Sequence, residues 1–309
     1  MIGSLALPMS ALELCHAVRE LRAVDSRRLD RVLRHDAQRS LLEVQSGTTW
    51  DALAAHPQVA FDCRDLPGAT VGEALLENAA GPDGAPFAKH VEAFTLVTAD
   101  GEMRRLSRAV NPDLFALCIG GHGVFGIVYS VTLRLNSLRA SVESAAAPVI
   151  LRLDEEAPAN AAFRLLVPPE GVEIFIGEVR ACCQEWHTTI ASVAVRRTVA
   201  EDETLLRWAV RDYADVALRL GAIRSLGNAV RSTQLRRALI DIAIACGGSF
   251  PISCTPDATR AQVERCYPML PRFMAEKRRL DPAGKLANAW YAHYRSLLGR
   301  GTCEVRWGR

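Results

Sequence analysis

A glycine cluster, Gly121-His122-Gly123-Val124-Phe125-Gly126, has the spacing G-x-G-x-x-G. A nicotinamide-binding fold places a strand before that spacing, a helix after it and an acid about 20 residues further on. Here a helix-like Asn-Pro-Asp-Leu-Phe-Ala-Leu precedes the cluster and an alternating segment over 127–135 follows it. We therefore reject the nicotinamide interpretation. Two readings remain, a packing turn or a turn that lets backbone approach another cofactor, because glycine has no Cβ and tolerates positive φ.

The cysteines are the other residues with reactive side chains. Nine are present without a C-x-x-C pair, and Cys182 and Cys183 are adjacent, which suits neither a disulfide nor a zinc site. We expect reduced thiols, no metal site and a cytoplasmic protein.

Hydrophobic periodicity predicts the elements that position the glycine cluster. In the first half we expect a helix over 10–23 with Ser10 as N-cap, a strand over 40–44, a helix over 50–55 capped by Thr48 or Thr49, and a strand over 127–135. In the second half we expect strands over 173–179 and 188–196, helices over 205–220, 235–246, 259–267 and 270–279, and a turn over 281–284.

Composition limits the classes of function. The 309 residues are 49% hydrophobic and 23% charged, which is ordinary for a globular chain of two domains or one large α/β unit. Thirty-seven basic residues against 35 acidic ones give a net charge of +2, which provides no basis for nucleic-acid or anionic-membrane binding. No window has the apolar length of a membrane span, and the N-terminus does not have the pattern of a signal peptide.

Several motifs in order resemble FAD-linked oxidases of the vanillyl-alcohol-oxidase and p-cresol-methylhydroxylase type, the FAD-binding PCMH type. The first are T-V-G near residue 71, H-V-x-x-F-x-L-V-T-A-D-G, N-P-D-L-F and G-G-x-G-x-x-G-I-V. The segments over 186–197, 237–250, 258–268, 273–282 and 286–290 are similar to the aldonolactone-oxidase and decaprenylphosphoryl-ribose-oxidase branch.

The resemblance implies an α+β fold, with a two-subdomain FAD-binding domain and a substrate domain whose antiparallel sheet is covered by helices. The expected division is 1–137 for a shortened FAD-binding domain, 138–250 for the substrate or cap domain, and 251–309 for a C-terminal segment returning to the flavin domain. It also implies an oxidoreductase in which bound FAD takes a hydride at N5 from a CH–OH group of a sugar, polyol or sugar lactone.

Matching positions give the expected flavin contacts. The pyrophosphate loop and the helix that follows match Pro67, Gly68, Thr70, Val71, Gly72, Ala74, Asn78 and Gly81. The turn and strand along the ribityl and adenine side match Gly121, Gly123, Gly126, Ile127 and Val128, and Asn288 matches a polar residue near the flavin ring.

The chain departs from the family pattern at three places. The glycine-rich R-G-x-G-x-S loop is missing after Arg22, through a natural shortening or a start-site error, although Arg27 and Arg28 offer charge there. The loop over 79–84 has no histidine, so FAD would be non-covalent at this position. Cys254 stands near the place where relatives have a basic group.

These departures leave two main hypotheses and a third. The chain is an active flavoenzyme, with Cys254, Lys285 and Asn288 as weak catalytic candidates and Arg196, Lys285 and His293 as substrate-side candidates. Alternatively it is an inactive relative or accessory subunit that binds flavin weakly or not at all and has a protein partner. A simple interaction module is the third class.

Overall fold

A computed structural model describes residues 5–20, 23–145, 147, 149–152, 162–221 and 228–299. Its helices are α1 (Ala11–Arg19), α2 (Trp50–Ala54), α3 (Val71–Glu77), α4 (Pro112–Cys118), α5 (Leu135–Glu143), α6 (Val172–Glu185), α7 (Asn228–Ala245), α8 (Arg260–Cys266), α9 (Leu270–Leu280) and α10 (Ala289–Gly299). Its strands are β1 (Val32–Asp36), β2 (Leu41–Gln45), β3 (Val91–Val97), β4 (Met103–Ser107), β5 (Ile127–Arg134), β6 (Val149–Arg152), β7 (Phe163–Val167), β8 (Ile190–Thr198) and β9 (Tyr213–Leu220).

The chain forms two compact units, each assembled from separate segments. Unit 1 comprises Met1–Ala147, Arg196–Asp212 and Glu276–Leu286, and unit 2 comprises Pro148–Val195, Tyr213–Ala275 and Ala287–Arg309. Both contain helices and antiparallel sheets, so the predicted α+β class is confirmed at that level. The division into an FAD-binding domain, a substrate domain and a C-terminal segment stays a prediction.

Unit 1 is built on a five-stranded sheet in the order β1-β2-β5-β3-β4 with antiparallel pairing throughout. Side chains alternate between its faces, as period-two strands require. Leu42, Phe94 and Val131 are fully buried, and helices α1, α3, α4 and α5 contact strands of this sheet. On the polar face, Arg105 donates to Glu43 at 2.9 Å and to Thr132 at 2.7 Å.

Side-chain caps fix where three of the helices begin. Ser10 accepts from the Glu13 N–H at α1, Thr49 accepts from the Ala52 N–H at α2, and Thr70 caps α3 in the same way. Each cap satisfies an N–H group that has no partner within the helix. The predicted N-cap at Ser10 is confirmed, and of the two alternatives at α2 the structure selects Thr49.

Unit 2 contains a four-stranded sheet in the order β6-β8-β9-β7. Strands β6 and β8 pair antiparallel, as do β7 and β9, and helix α7 contacts β7. The carboxylate of Asp215, 5% exposed on β9, is held by an ion pair with Arg164 on β7.

Two elements predicted in the second half of the chain are wrong. The predicted strand over 173–179 lies in helix α6, where Phe175, Val179 and Cys183, spaced four residues apart, form the buried face. The predicted helix over 205–220 ends in strand β9, because pairing with β7 buries Val216 and Leu218 and overrides the helix preference of the sequence.

Within the described ranges, every helix is too short or too polar to cross a membrane.

Candidate functional site

The predicted pyrophosphate segment forms the start of α3, and its N–H groups already have partners. The N–H groups of Val71 and Gly72 donate to the carbonyl oxygens of Thr48 and Ser46 at 3.0 and 2.8 Å. The next N–H group, that of Glu73, donates to the N-cap hydroxyl of Thr70 at 3.2 Å. The first turn of α3 is therefore satisfied by the protein itself, which leaves these three backbone donors unavailable to a bound anion.

The glycines and proline of this segment are explained by close contacts within unit 1. A Cβ on Gly72 would lie 2.7 Å from the Ser46 carbonyl oxygen, so the crossing of the two backbones requires glycine. Gly68 has φ +79°. The carbonyl of Pro67 accepts a hydrogen bond from the Trp50 indole at 3.0 Å. Ala74 is fully buried in α3.

The glycine turn that follows α4 lies against α3. The Gly120 N–H donates to the Leu75 carbonyl at 3.1 Å, and the His122 N–H donates to the Leu76 carbonyl at 3.0 Å. The structure thus brings together the two segments to which the sequence assigned a cofactor, although they are far apart along the chain.

Only one of the three glycines predicted in this turn could carry a Cβ without a clash. A Cβ on Gly121 would lie 2.3 Å from the Leu117 carbonyl oxygen, and one on Gly126 would lie 2.4 Å from Leu96 Cγ. At Gly123, with φ +74°, the nearest atom to a Cβ is Leu76 Cδ1 at 3.6 Å. At Gly123 the requirement for glycine therefore comes from the positive φ and not from a close contact.

The two strand residues predicted to lie along the cofactor have structural roles in the sheet. Val128 is 3% exposed and pairs with Leu96. Ile127 pairs with Val97 and packs against a buried cluster that includes Leu14. Their assignment to the cofactor stays a prediction.

Asn78 ends α3 in the left-handed conformation, with φ +47° and 1% of its surface exposed. Its Oδ1 accepts the Ala88 N–H at 2.9 Å, and its main-chain carbonyl accepts the Trp208 indole N–H at 2.9 Å. Its Nδ2 is buried and has no hydrogen-bond partner among the described residues. A buried amide donor without an acceptor is costly, and a bound polar group would remove that cost.

Two further buried donors lie beside the start of α3, and sequence reasoning missed both. Ser46 Oγ and Thr48 Oγ1 lack hydrogen-bond partners within the described part of the chain, and the two residues are 2% and 1% exposed. Ser46 lies beside Gly72, and Thr48 receives the Val71 N–H. The donors that remain for FAD are thus side chains, two hydroxyls and the Asn78 amide, and with Gly123 they fit a polar cofactor.

The basic residues Arg27 and Arg28 lie on a short 3-10 turn over Ser26–Arg28 that packs against Gly47. A Cβ on Gly47 would lie 2.2 Å from the Ser26 carbonyl oxygen. Arg27 forms an ion pair with Asp25 at 2.5 Å. Arg28 is exposed and makes no ion pair with any described residue. Gly47 separates Ser46 from Thr48 in the chain, so the backbone of the turn lies against the segment that carries the two orphan hydroxyls.

Two histidines of unit 1 have a lowered pKa. Burial lowers the pKa of His122, a partly buried residue of the glycine turn, to about 4, so its ring is neutral at pH 7. His122 has φ +52°, a left-handed backbone that sequence alone did not indicate. Burial also lowers the pKa of His90, whose Nδ1 lies 2.8 Å from Ser137 Oγ. Its Nε2 is buried without a partner among the described residues.

The loop after α3 carries Gly81, the last residue predicted in this segment. Its N–H donates to the Ala85 carbonyl at 2.8 Å. A Cβ there would lie 3.0 Å from both Asp83 Oδ1 and Ser141 Oγ. The loop is thus a closed turn held by its own polar groups.

The candidates nearer the C-terminus have local roles. Part of the Cys254 residue is exposed, but desolvation raises the pKa of its thiol. The thiol therefore stays protonated, which argues against a role as general base. Asn288 caps α10, accepting the Tyr291 N–H at 2.9 Å. Lys285 and Arg196 are exposed. His293 is half-buried, and its Nε2 has no partner among the described residues.

Comparison with known proteins relates this geometry to a family. Residues 14–107 match the FAD binding domain family, a stretch that includes α3 and the loop after it. An uncharacterized oxidoreductase, ORF5 in the fasciation locus of Rhodococcoides fascians, is 30% identical over 126 residues, or 38% of this chain and 28% of that protein. The decaprenylphosphoryl-beta-D-ribose oxidase of Mycolicibacterium smegmatis is 32% identical over 141 residues, or 43% of this chain and 30% of that protein.

The alignments thus span less than a third of the length of either relative. Together, the matched domain and the two relatives support a relationship to the FAD-linked oxidases.

Proposed function

We propose that the protein is an FAD-dependent oxidoreductase that oxidises a CH–OH group of a sugar, polyol or sugar lactone. When bound, FAD supplies the hydride acceptor at flavin N5. The observation that carries the proposal is the hydrogen-bonded junction of α3 with the glycine turn. The FAD binding domain match covers α3, and beside it lie buried donors without acceptors.

The residues proposed to hold FAD are of two kinds. Three side chains have a buried polar atom without a hydrogen-bond partner among the described residues, namely Ser46, Thr48 and Asn78. Gly123 is the glycine of the turn where an added Cβ would not clash, so we propose that FAD approaches the backbone there. The wider set proposed from the family resemblance is Pro67, Gly68, Thr70, Val71, Gly72, Ala74, Asn78, Gly81, Gly121, Gly123, Gly126, Ile127, Val128 and Asn288. Attachment is proposed to be non-covalent, because the loop over 79–84 contains no histidine.

The substrate class rests on one relative. The Mycolicibacterium smegmatis protein is named for oxidising a decaprenylphosphoryl ribose, which supports a sugar-like CH–OH substrate and the corresponding branch of the family. We propose that residues 1–137 form the FAD-binding domain and residues 138–250 the substrate domain. Residues 251–309 are proposed to form a C-terminal segment that returns to the flavin domain.

A second candidate function is a non-catalytic relative with weak flavin binding and a protein partner. It is favoured by the start of α3, where Val71 and Gly72 donate to protein carbonyls. It is also favoured by Cys254, because a thiol with a raised pKa does not replace the base expected there.

The visible absorbance of the purified protein after incubation with excess FAD separates these candidates. We expect the protein to bind FAD stoichiometrically. We also expect sugars or polyols to reduce the bound flavin in the absence of oxygen, seen as loss of its visible absorbance. Bound flavin that no such substrate reduces supports the non-catalytic relative. A protein that stays colourless with excess FAD refutes the proposal. Gly123→Leu places a side chain where we propose that FAD approaches and is expected to abolish flavin binding, and unchanged flavin content would remove this turn from the site.

A further inference from the structure

A segment of unit 1 that comes from far along the sequence covers the loop after α3. Residues 196–212, here called the strap, follow the main part of β8 and run to the start of β9, and they belong to unit 1. Beyond the end of β8 the strap has no helix or strand. Yet Leu206, Trp208 and Ala209 are buried, at 4%, 9% and 0% exposure. An irregular segment with a buried apolar side is docked on the rest of its unit.

The strap contacts both ends of the loop over 78–84. Its Trp208 indole donates to the Asn78 carbonyl at 2.9 Å. Its Val199 N–H donates to the Gly84 carbonyl at 2.9 Å. Gly84 has φ +79°, and a Cβ there would lie 2.0 Å from the Arg197 carbonyl oxygen. Only glycine allows the two backbones to approach this closely.

Further contacts hold the strap against α4, the helix that precedes the glycine turn. The Leu205 N–H donates to the Ala116 carbonyl of α4 at 3.0 Å. Arg108, just before α4, forms an ion pair with Glu203 at 2.5 Å. The strap therefore contacts the loop that follows α3 and also α4, the helix that leads into the glycine turn.

Internal hydrogen bonds give the strap a defined shape. The Glu201 N–H donates to the Ala209 carbonyl at 2.9 Å, closing the strap into a loop. The Glu201 carboxylate accepts the N–H groups of Glu203 and Thr204 at 2.9 and 3.0 Å. Asp212 accepts the Ala200 N–H at 2.9 Å. The strap therefore has a fixed conformation of its own, held by its internal hydrogen bonds.

We propose that the strap holds the loop over 78–84 in the conformation that binds FAD, and that Trp208 is the positioning residue. This inference rests on the proposed function. The loop closes on itself through the Gly81 N–H, whereas its two ends, Asn78 and Gly84, are held by the strap. The Trp208 hydrogen bond holds the main chain of Asn78, the residue whose own Nδ2 has no partner among the described residues. The strap thereby reduces the ordering that FAD would otherwise have to impose.

The test compares FAD dissociation constants of the wild type, Trp208→Phe and Gly84→Ala by flavin fluorescence titration. Trp208→Phe keeps the ring but removes the indole donor, and loss of one such hydrogen bond corresponds to about five- to tenfold weaker binding. Gly84→Ala drives a Cβ into the Arg197 carbonyl and is expected to weaken binding further. Trp186→Phe, a half-buried tryptophan of unit 2 stacked under Arg231, is the matched control and should bind like the wild type.

Limited trypsin digestion gives a second readout that does not need cofactor. Arg207 and Arg211 are exposed on the strap. We expect faster cleavage at these sites in Trp208→Phe and Gly84→Ala than in Trp186→Phe, and protection of the wild type by FAD.

The outcomes separate the inference from the proposed function. A wild type that binds FAD, together with a Trp208→Phe variant that binds it equally well, overturns the positioning role. A wild type that binds no FAD overturns the proposed function and the positioning role with it. Unchanged cleavage in both Trp208→Phe and Gly84→Ala overturns the role of the strap as a clamp.

Discussion

Acid should destabilise this protein through His122, and His122→Asn should remove that effect. Burial lowers the pKa of this imidazole from 6.5 to about 4 in the folded protein. The unfolded chain takes up its proton below about pH 6.5, whereas the folded chain does so only near about pH 4. Since the unfolded state binds more protons in this window, stability is full above it and falls as the pH falls through it.

The size of the effect follows from the two pKa values. Proton linkage gives an upper limit of about 2 kcal/mol for the stability lost through this ring between about pH 7 and about pH 5. The ring of His122 is only partly buried, and the water that reaches it lowers the loss below that limit. Asparagine is the replacement of choice because φ is +52° here, and asparagine tolerates the left-handed region.

Urea unfolding at the two pH values, for the wild type and His122→Asn, measures the difference. The variant should lose less stability on acidification, by about 1 to 2 kcal/mol. His187→Asn is the matched control, because His187 has φ +51° but an exposed ring, and it should follow the wild type. Equal acid loss in the wild type and His122→Asn would refute the reasoning.

Three other substitutions test the packing and a buried ion pair of unit 1. Gly126→Ala places a Cβ 2.4 Å from Leu96 Cγ, and should reduce the free energy of unfolding by about 1–3 kcal/mol or more through overpacking. Gly123→Ala makes no such close contact, and its positive φ should reduce the free energy of unfolding by about 1–2 kcal/mol. A Gly126→Ala variant that is as stable as the wild type in urea would contradict the packing account. Lys277→Met leaves the Asp281 carboxylate buried without its cation and should cost about 3 kcal/mol or more, and a loss below about 1 kcal/mol in urea would show that the pair is dispensable.

Local signals predicted much of unit 1. Thr49 and the apolar residues after it indicated α2, and period-two alternation indicated β5. The glycine turn between α4 and β5 was predicted from its flanking residues. Each of these features depends on neighbours in sequence, which a single chain displays directly.

The features that sequence missed depend on partners distant in the chain. The helix predicted over 205–220 is wrong, because amphipathic spacing does not reveal the pairing with β7 that makes strand β9. Trp208 and Asn78 are 130 positions apart, and no periodicity links them. The orphan hydroxyls of Ser46 and Thr48 are revealed by burial, which is a property of the folded chain.

The segmented make-up of unit 1 bears on how the chain folds during synthesis. When Ala147 has left the ribosome, neither the strap nor Glu276–Leu286 has been made. Until the strap is made, the Asn78 carbonyl has no indole donor, and the surface that receives Leu206, Trp208 and Ala209 is open to water. Unit 1 therefore completes its packing only after most of unit 2 has been synthesised, and a fragment cut at residue 147 would expose an apolar surface that favours aggregation.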